Sequence, residues 1–483
     1  MKYGIYPPPA MIAADAPGSD GQLRFYQMQR QLRQIISHLD VATATSAQKI
    51  YPEWFGAKRD GSHDDTTAIN QAIDEATKSG GTVHLNAGTY LVTNNVVMRA
   101  NVTMEGDGWS SVIKLGANAT LTNAGILRVK HASGSDNSTL INFAIDGNKT
   151  NQSVGTNKHG AYIEGDYVAL INLYIHDCSF YGIDPHEQNS PSAVPSTFIF
   201  IINNYLLNNG DATHENIVLD MTENSLISGN FSVASARHGI NLTTKSRFNI
   251  ISNNTILNAL ENGITLQSGS TLTNQSERNI ISGNYIASAG NEGIYLRDSD
   301  FNTIVGNTVR LSTNHGIRLR SSSYNSVTGN ILEENSQHAT IAYQEVGIDD
   351  DFATYGVYST YNAISGNVIK TVKANYGIDE SSANQNYNTI VGNTVSGAVT
   401  KSIRVQGANS LAWGNTTSDG ADMVLPAIQM GIGLTAPTEV VHIKHATNKV
   451  YFRADNGTVI TKYGIAAGAT TGRIGTESNH DFV

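Results

Sequence analysis

Asn279-Ile280-Ile281-Ser282-Gly283-Asn284, with Glu292-Gly293-Ile294 after it, returns almost unchanged as Asn302-Thr303-Ile304-Val305-Gly306-Asn307 with His315-Gly316-Ile317. The N-x-[IV]-x-[GN]-N unit also runs from Asn249 to Asn254, Asn325 to Asn330, Asn362 to Asn367 and Asn388 to Asn393. The x-G-[IV] strand start recurs at Tyr181-Gly182-Ile183, His238-Gly239-Ile240, Asn262-Gly263-Ile264 and Tyr376-Gly377-Ile378. Where nothing is inserted, the period is about 22 to 24 residues. A repeat of this length is one coil of a solenoid that cannot bury its own apolar face, and stacking at the strand spacing gives it a continuous core. The expected fold is all-β, a right-handed parallel β-helix. Asn at one corner is suited both to the left-handed region and to a ladder of side-chain amides, so these Asn residues read as structural.

The whole chain agrees with a repeat. At 483 residues it exceeds the size at which one compact core stops growing, and 45 glycines with only 15% charged residues suit stacked strands and tight turns. The single cysteine, Cys178, precludes an intramolecular disulfide and reads as a small buried apolar residue. A formal charge of −10 argues against nucleic acid as a partner, and no apolar run of membrane-spanning length occurs. Met1 to Pro9 has no signal-peptide pattern. The same negative charge means that an anionic polymer would need a local basic strip, for which Lys158, Arg237, Lys245 and Arg247 are candidates.

Three regions are expected: an N-terminal segment over 1–47, a β-helix over 48–423 and a small β domain over 424–483. In the first, Phe25, Met28, Leu32, Ile35 and Leu39 form a short heptad seam, read either as one packed helix or as a trimer-forming stub. In the second, Asp65-Thr66 opens a helix whose Ala68, Ile69, Ala72, Ile73 and Ala76 share a face, with Gly80-Gly81 ending it. In the third, alternation around Asn456-Gly457 predicts a hairpin. The segments Gln188 to Pro195 and Asn335 to Asp351 read as insertions walling a groove.

Tyr181-Gly182-Ile183-Asp184-Pro185-His186 crowds a phenol, a carboxylate and an imidazole into one strand-like run. Pro185 confines it to a sheet edge, strand end or bulge. Aligning strand-start glycines sets Gly182 beside Asn216 and Gly239, which brings Asp220 into register with His186. Asp184, His186 and Asp220 should then share one exposed face, with Ile183 pointing inward. Strict alternation would bury Tyr181, so it must lie at the preceding corner beside Glu215 and His238, with Arg237 at the edge.

The block YPEWFGAKRDGSHDDTTAINQAIDEATKSGGTVHLNAGTYLV resembles the capping helix and first coil of the pectate-lyase-like β-helix superfamily. The hexad resembles the YG[FI]DPH signature of mannuronan C-5 epimerases, and Arg237-His238-Gly239 resembles their RHG strand start. The resemblance spans roughly Phe55 to Asn254. It implies that Tyr181, Asp184, His186 and Asp220 are catalytic and that Arg237 and His238 contact the substrate; Lys158 and Lys245 of the basic strip and Glu215 at the Tyr181 corner complete the expected substrate-binding set. The reaction implied is removal of H5 from a uronate in an anionic polysaccharide such as alginate. Arg237, or a protonated Asp184 or Asp220, would neutralise the sugar carboxylate, and His186 and Tyr181 would be base and acid. Return of the proton to the opposite face epimerises C5; loss of the 4-O substituent gives a lyase.

A rival reading is a tailspike-type hydrolase using Asp184 with Asp220, or Asp349 to Asp351. A second is a receptor-binding fibre, because the C-terminal GIG…P…VHI run resembles phage tail-fibre C-termini. Both place the chain outside the cell or on a virion, with a homotrimer as one form. The chemistry requires no cofactor. The family resemblance leaves a single calcium site open, yet the metal ligands are unknown: no EF-hand or zinc spacing is present, and Gly80-Gly81 is the sole GG pair.

Overall fold

The computed structural model describes residues 49–419, apart from short stretches at 79–80, 131–136, 154–157, 189–193, 269–274 and 351–355, together with four strands between 442 and 476. The heptad segment and the Asn456-Gly457 turn lie outside the described residues. Among these residues, two parallel sheets of 14 strands and one of 12 run the length of a parallel β-helix. Twelve coils contribute one strand to each sheet and the first and last described coils only to the two larger ones; Ala161–Glu164, Ala169–Ile171 and Tyr174–His176 show the order in which strands succeed one another. The last four strands, His442–Ala446, Lys449–Asp455, Ile460–Ile465 and Arg473–Thr476, form an antiparallel sheet of their own.

Helix α1 (Thr66–Thr77) lays Ile69, Ala72, Ile73 and Ala76, all fully buried, against the first coils. Asp64 Oδ1 accepts the Thr66 N–H at 3.1 Å, and buried Asp65 accepts the Lys58 and Arg59 amides at 2.8 and 2.9 Å. The helix thereby covers apolar strand ends that a solenoid would otherwise expose.

The interior is built of columns of aliphatic side chains, one of which runs through Ile183, Ile217, Ile240, Ile264, Ile294 and Ile317, all completely buried. They stack in register: Ile183 on Ile217, Ile217 on Ile240, Ile240 on Ile264 and Ile264 on Ile294. The strand-start glycines have a steric cause. A Cβ at Gly182 would lie 2.5 Å from the Asn216 carbonyl oxygen, so only glycine admits the next coil there.

The asparagines form two amide ladders. In one, Asn254 Nδ2 donates to Asn284 Oδ1, Asn284 to Asn307 and Asn307 to Asn330, at 2.9, 2.9 and 3.0 Å. In the other, Asn279 donates to Asn302 and Asn302 to Asn325 at 3.2 and 3.3 Å. The structure separates two roles that the repeat merged: left-handed φ belongs to the residue just before each ladder Asn, such as Asn253, Gly283 and Gly306, or Phe301 and Tyr324.

Two expected walls differ. Residues Gln344–Asp349 of the second insertion are a regular strand paired with Ile317–Arg320, so that segment is largely a coil with an irregular entry. In the first, Gln188 bridges Val194, and Ser196–Thr197 pairs with Thr222–Glu223, so the described ends of the segment lie against the body, with Ser196 Oγ donating to the His186 carbonyl at 2.5 Å.

Candidate active site

The strand Ile183–Pro185 lies in the 12-stranded sheet between Ala161–Glu164 and Ile217–Asp220. The His186 amide still donates to the Ile163 carbonyl at 2.8 Å. On the other side the pairing holds only at Ile183 with Ile217. Pro185 has no N–H for the next rung, so the two strands are unzipped beyond that point. This places His186 and Asp220 at the frayed ends of neighbouring strands, where side chains can turn toward one another.

His186 Nδ1 is 3.6 Å from Asp184 Oδ1 and 3.7 Å from Asp220 Oδ2. Burial disfavours its charge, but the two carboxylates outweigh that and push its pKa up to about 9. Asp184 is 1% exposed, which corrects the expectation of an open face: Tyr162 of the preceding coil stands in register with it, and the Tyr162 and His186 rings are 5.3 Å apart. Burial would raise the Asp184 carboxyl, yet its contacts with His159 and His186 hold it below the usual carboxylate range. Asp220 is raised, chiefly by burial. Asp220, rather than Asp184, is therefore the carboxyl closer to holding a proton.

Tyr181 sits at the corner before the strand. Its ring packs against Phe180, His159 and His214 at 5.0, 5.3 and 4.7 Å. Burial, then the charges of Glu215, Asp184 and Asp220, drive its phenol strongly upward, so it carries its proton at neutral pH. Glu215, next in the same corner column, is completely buried. Asn241 Nδ2 donates to its Oε1 at 2.6 Å and Arg237 Nη1 reaches the same oxygen at 3.3 Å, while Oε2 has no partner. Burial lifts this carboxyl to about 8, making it neutral at physiological pH. Arg237 spans Glu215 and Glu261, the latter at 3.2 Å. His238 is buried, accepts the Asn262 N–H at Nδ1, and is kept neutral by desolvation and then by Arg237.

The structure thus brings Tyr181, Asp184, His186, Asp220, Glu215, Arg237 and His238 onto three successive coils. Lys158 is not on an open basic strip: it is 5% exposed, and its Nζ donates to the Ser153 carbonyl at 2.8 Å. Lys245 lies two residues past Thr243, the partner of Asp220, and is partly exposed. Arg247 points away toward Glu277 at 3.5 Å. The alternative carboxylates are engaged, Asp349 by Arg318 at 2.6 Å and Asp350 by Gln385. Beyond His238 the groove continues as a depression of about 290 Å³ lined by Gln267, Tyr295 and Arg297 among others.

Sequence reasoning missed His159 and Tyr162. Lys158-His159-Gly160 repeats the pattern of Arg237-His238-Gly239, and only the Ala in place of Ile after the glycine hid it.

Among the described residues one cluster, Asp146, His176 and Asp177, brings carboxylate and imidazole atoms together. It lies on another sheet, and Lys114 Nζ occupies Asp146 Oδ2 at 2.9 Å. A mixed imidazole site with an ammonium in it does not fit calcium, which takes oxygen ligands.

Residues 53–276 match the family described as rhamnogalacturonase A/epimerase, pectate lyase-like, and residues 267–351 match periplasmic copper-binding protein (NosD). Mannuronan C5-epimerase AlgE1 of Azotobacter vinelandii is 33% identical over 377 residues, covering 74% of this chain and 26% of that protein. Alginate lyase 7 of the same organism is 32% identical over 209 residues, 40% of this chain and 23% of that protein. The chain thus spans about a quarter of the length of these relatives. Among solved structures, the A-module of the Azotobacter vinelandii mannuronan C-5 epimerase AlgE6 aligns with a TM-score of 0.69 and 26% identity, over 77% of this chain and 99% of the module. The pre-mature bacteriophage phi29 gene product 12 shares the fold, with a TM-score of 0.60 and 16% identity, over 81% of this chain and 52% of that one.

Proposed function

Taking as premise that this chain belongs to the pectate-lyase-like β-helix proteins and is homologous to the catalytic modules of mannuronan C5-epimerases, we propose that it is an alginate-modifying enzyme that epimerises mannuronate to guluronate within the polymer. The observation that carries this reading is the His186 imidazole held between Asp184 and Asp220, with the protonated Tyr181 phenol nearby. These are proton-transfer groups of differing basicity in one groove.

The proton at C5 is weakly acidic because the neighbouring carboxylate resists a second negative charge. Glu215, neutral and fully buried, and Arg237 beside it are suited to offset that charge as electrons move from the C5–H bond into the carboxylate. Neutral His186 accepts the proton. Tyr181 supplies one to the opposite face of C5, and the electron pair returns to form the new C–H bond. His186 and Tyr181 then regain their starting states through solvent.

A second reading is supported by the 32% identity to Alginate lyase 7. If the C4–O bond breaks before C5 is reprotonated, the same intermediate gives an unsaturated sugar and a shortened chain. The substrate is an anionic polysaccharide in either case, acted on outside the cell or at a virion surface. A homotrimer remains part of this proposal, with sedimentation of the full chain as its measure.

Incubation with polymannuronate decides the matter. Proton NMR reporting guluronate in a polymer of unchanged length supports epimerisation. Ultraviolet absorbance from unsaturated ends supports the lyase, and an unchanged polymer refutes both.

A further inference from the structure

His159 stands at the corner before Ala161–Glu164, one coil ahead of Tyr181. Its Nδ1 lies 3.0 Å from Asp184 Oδ2, and the two side chains are 5% and 2% exposed. The other oxygen, Oδ1, faces His186 at 3.6 Å. Asp184 is therefore held between two imidazoles, one deep and one facing the groove. The deep ring is wedged among Phe180, Tyr162 and Tyr181, with centroids 4.6, 5.1 and 5.3 Å away, which fixes its orientation.

The arrangement answers a problem set by the chemistry. A buried carboxylate takes up a proton unless its charge is matched. In the proposed reaction His186 gains and loses a proton in every cycle, so it cannot match that charge throughout. From the preceding coil Asp184 also faces Tyr162, and from its own segment Tyr181. From the next coil it faces Glu215 and Asp220. Among the described residues Asp184 has two imidazole partners, His186 facing the groove and His159 lying away from it.

We infer that His159 is a positioning residue, which clamps Oδ2 of Asp184 so that Oδ1 stays ionised and aimed at His186 while His186 exchanges protons. This rests on reading the groove as a proton-transfer site. His159 does not touch the sugar.

The test uses the full chain carrying carboxyl-labelled aspartate, with the Asp184 signal identified by its loss in Asp184→Asn. His159→Phe keeps the aromatic packing without the nitrogen, and His159→Asn restores a donor near Nδ1. Loss of a donor to the charged form raises a carboxyl pKa. The Asp184 titration should therefore move to higher pH in His159→Phe and return toward wild type in His159→Asn. On polymannuronate, kcat at neutral pH should fall roughly tenfold to a hundredfold in His159→Phe with KM little changed. An unmoved Asp184 titration in His159→Phe, or an Asn variant no better than Phe, overturns the inference. If wild type leaves every polyuronate unchanged, the functional reading fails separately, and the carboxyl titration still decides the role of His159.

Discussion

His186 Nδ1 stands 3.7 Å from Asp220 Oδ2 although the two residues lie on successive coils, because Pro185 removes the rung that would have held their strands flat together. The contact joins an imidazole held toward its charged state to a carboxyl whose pKa burial raises. If they work as a unit, His186→Ala and Tyr181→Phe should each lower turnover of polymannuronate by roughly 10² to 10⁴-fold. Circular dichroism should keep the wild-type signal, since neither side chain belongs to the aliphatic column, while the thermal midpoint of His186→Ala should fall at neutral pH because the imidazole paired with two carboxylates is lost. A rate near wild type in either variant would sink the catalytic assignment.

The pH dependence follows from the raised His186 pKa. As the base must be neutral, kcat should climb as pH rises toward about 9. In Asp220→Asn one of the charges holding the proton is gone, so that limb should shift to lower pH. Stability runs the other way. His186 binds its proton more tightly folded than unfolded, so its contribution is complete below its ordinary value of 6.5 and is lost as pH rises through about 9. Denaturant melts across this window should show His186→Gln flattening that loss; identical slopes in both proteins would contradict it.

Glu215 should behave as a neutral acid. Since its carboxyl is lifted to about 8 by burial, Glu215→Gln should match wild type at neutral pH, and Glu215→Ala should not. Above pH 8 the native side chain ionises beside a polyanionic substrate, so KM should rise in wild type and stay flat in the Gln variant. Michaelis constants measured on either side of pH 8 test this, and a Gln variant crippled at pH 7 would show that the ionised form is needed.

Asn284 donates to Asn307 and to the Ile251 carbonyl, and accepts from the backbone and side chain of Asn254. Truncation in Asn284→Ala would leave buried polar groups without partners, at a cost of roughly 1–3 kcal/mol each. Asn253, which has positive φ, should by contrast accept Gly with little loss. Chemical denaturation of the two variants checks the distinction.

What could be read directly from the chain was whatever recurs along it. The coil period, the inward column through Ile183 and Ile217, the α1 cap and the register of Asp220 with His186 all follow from spacing, since every coil must meet the same neighbours. Repetition also hid things. The strand start after His159 departs by one residue from the pattern, and the positive-φ corner falls one residue before each ladder Asn, on Gly, Phe or Tyr as readily as on Asn.

Sequence alone determined the stacked architecture and the set of proton-carrying residues on three adjacent coils. Only the tertiary structure decided their states: that Asp184 is buried and charged, that Glu215 is buried and neutral, and that the Lys158 ammonium is spent on Ser153. The reason is physical. Periodicity fixes which residues are neighbours to within one strand spacing, whereas a proton's position depends on burial and on contacts of a few ångströms, which side-chain packing across coils sets.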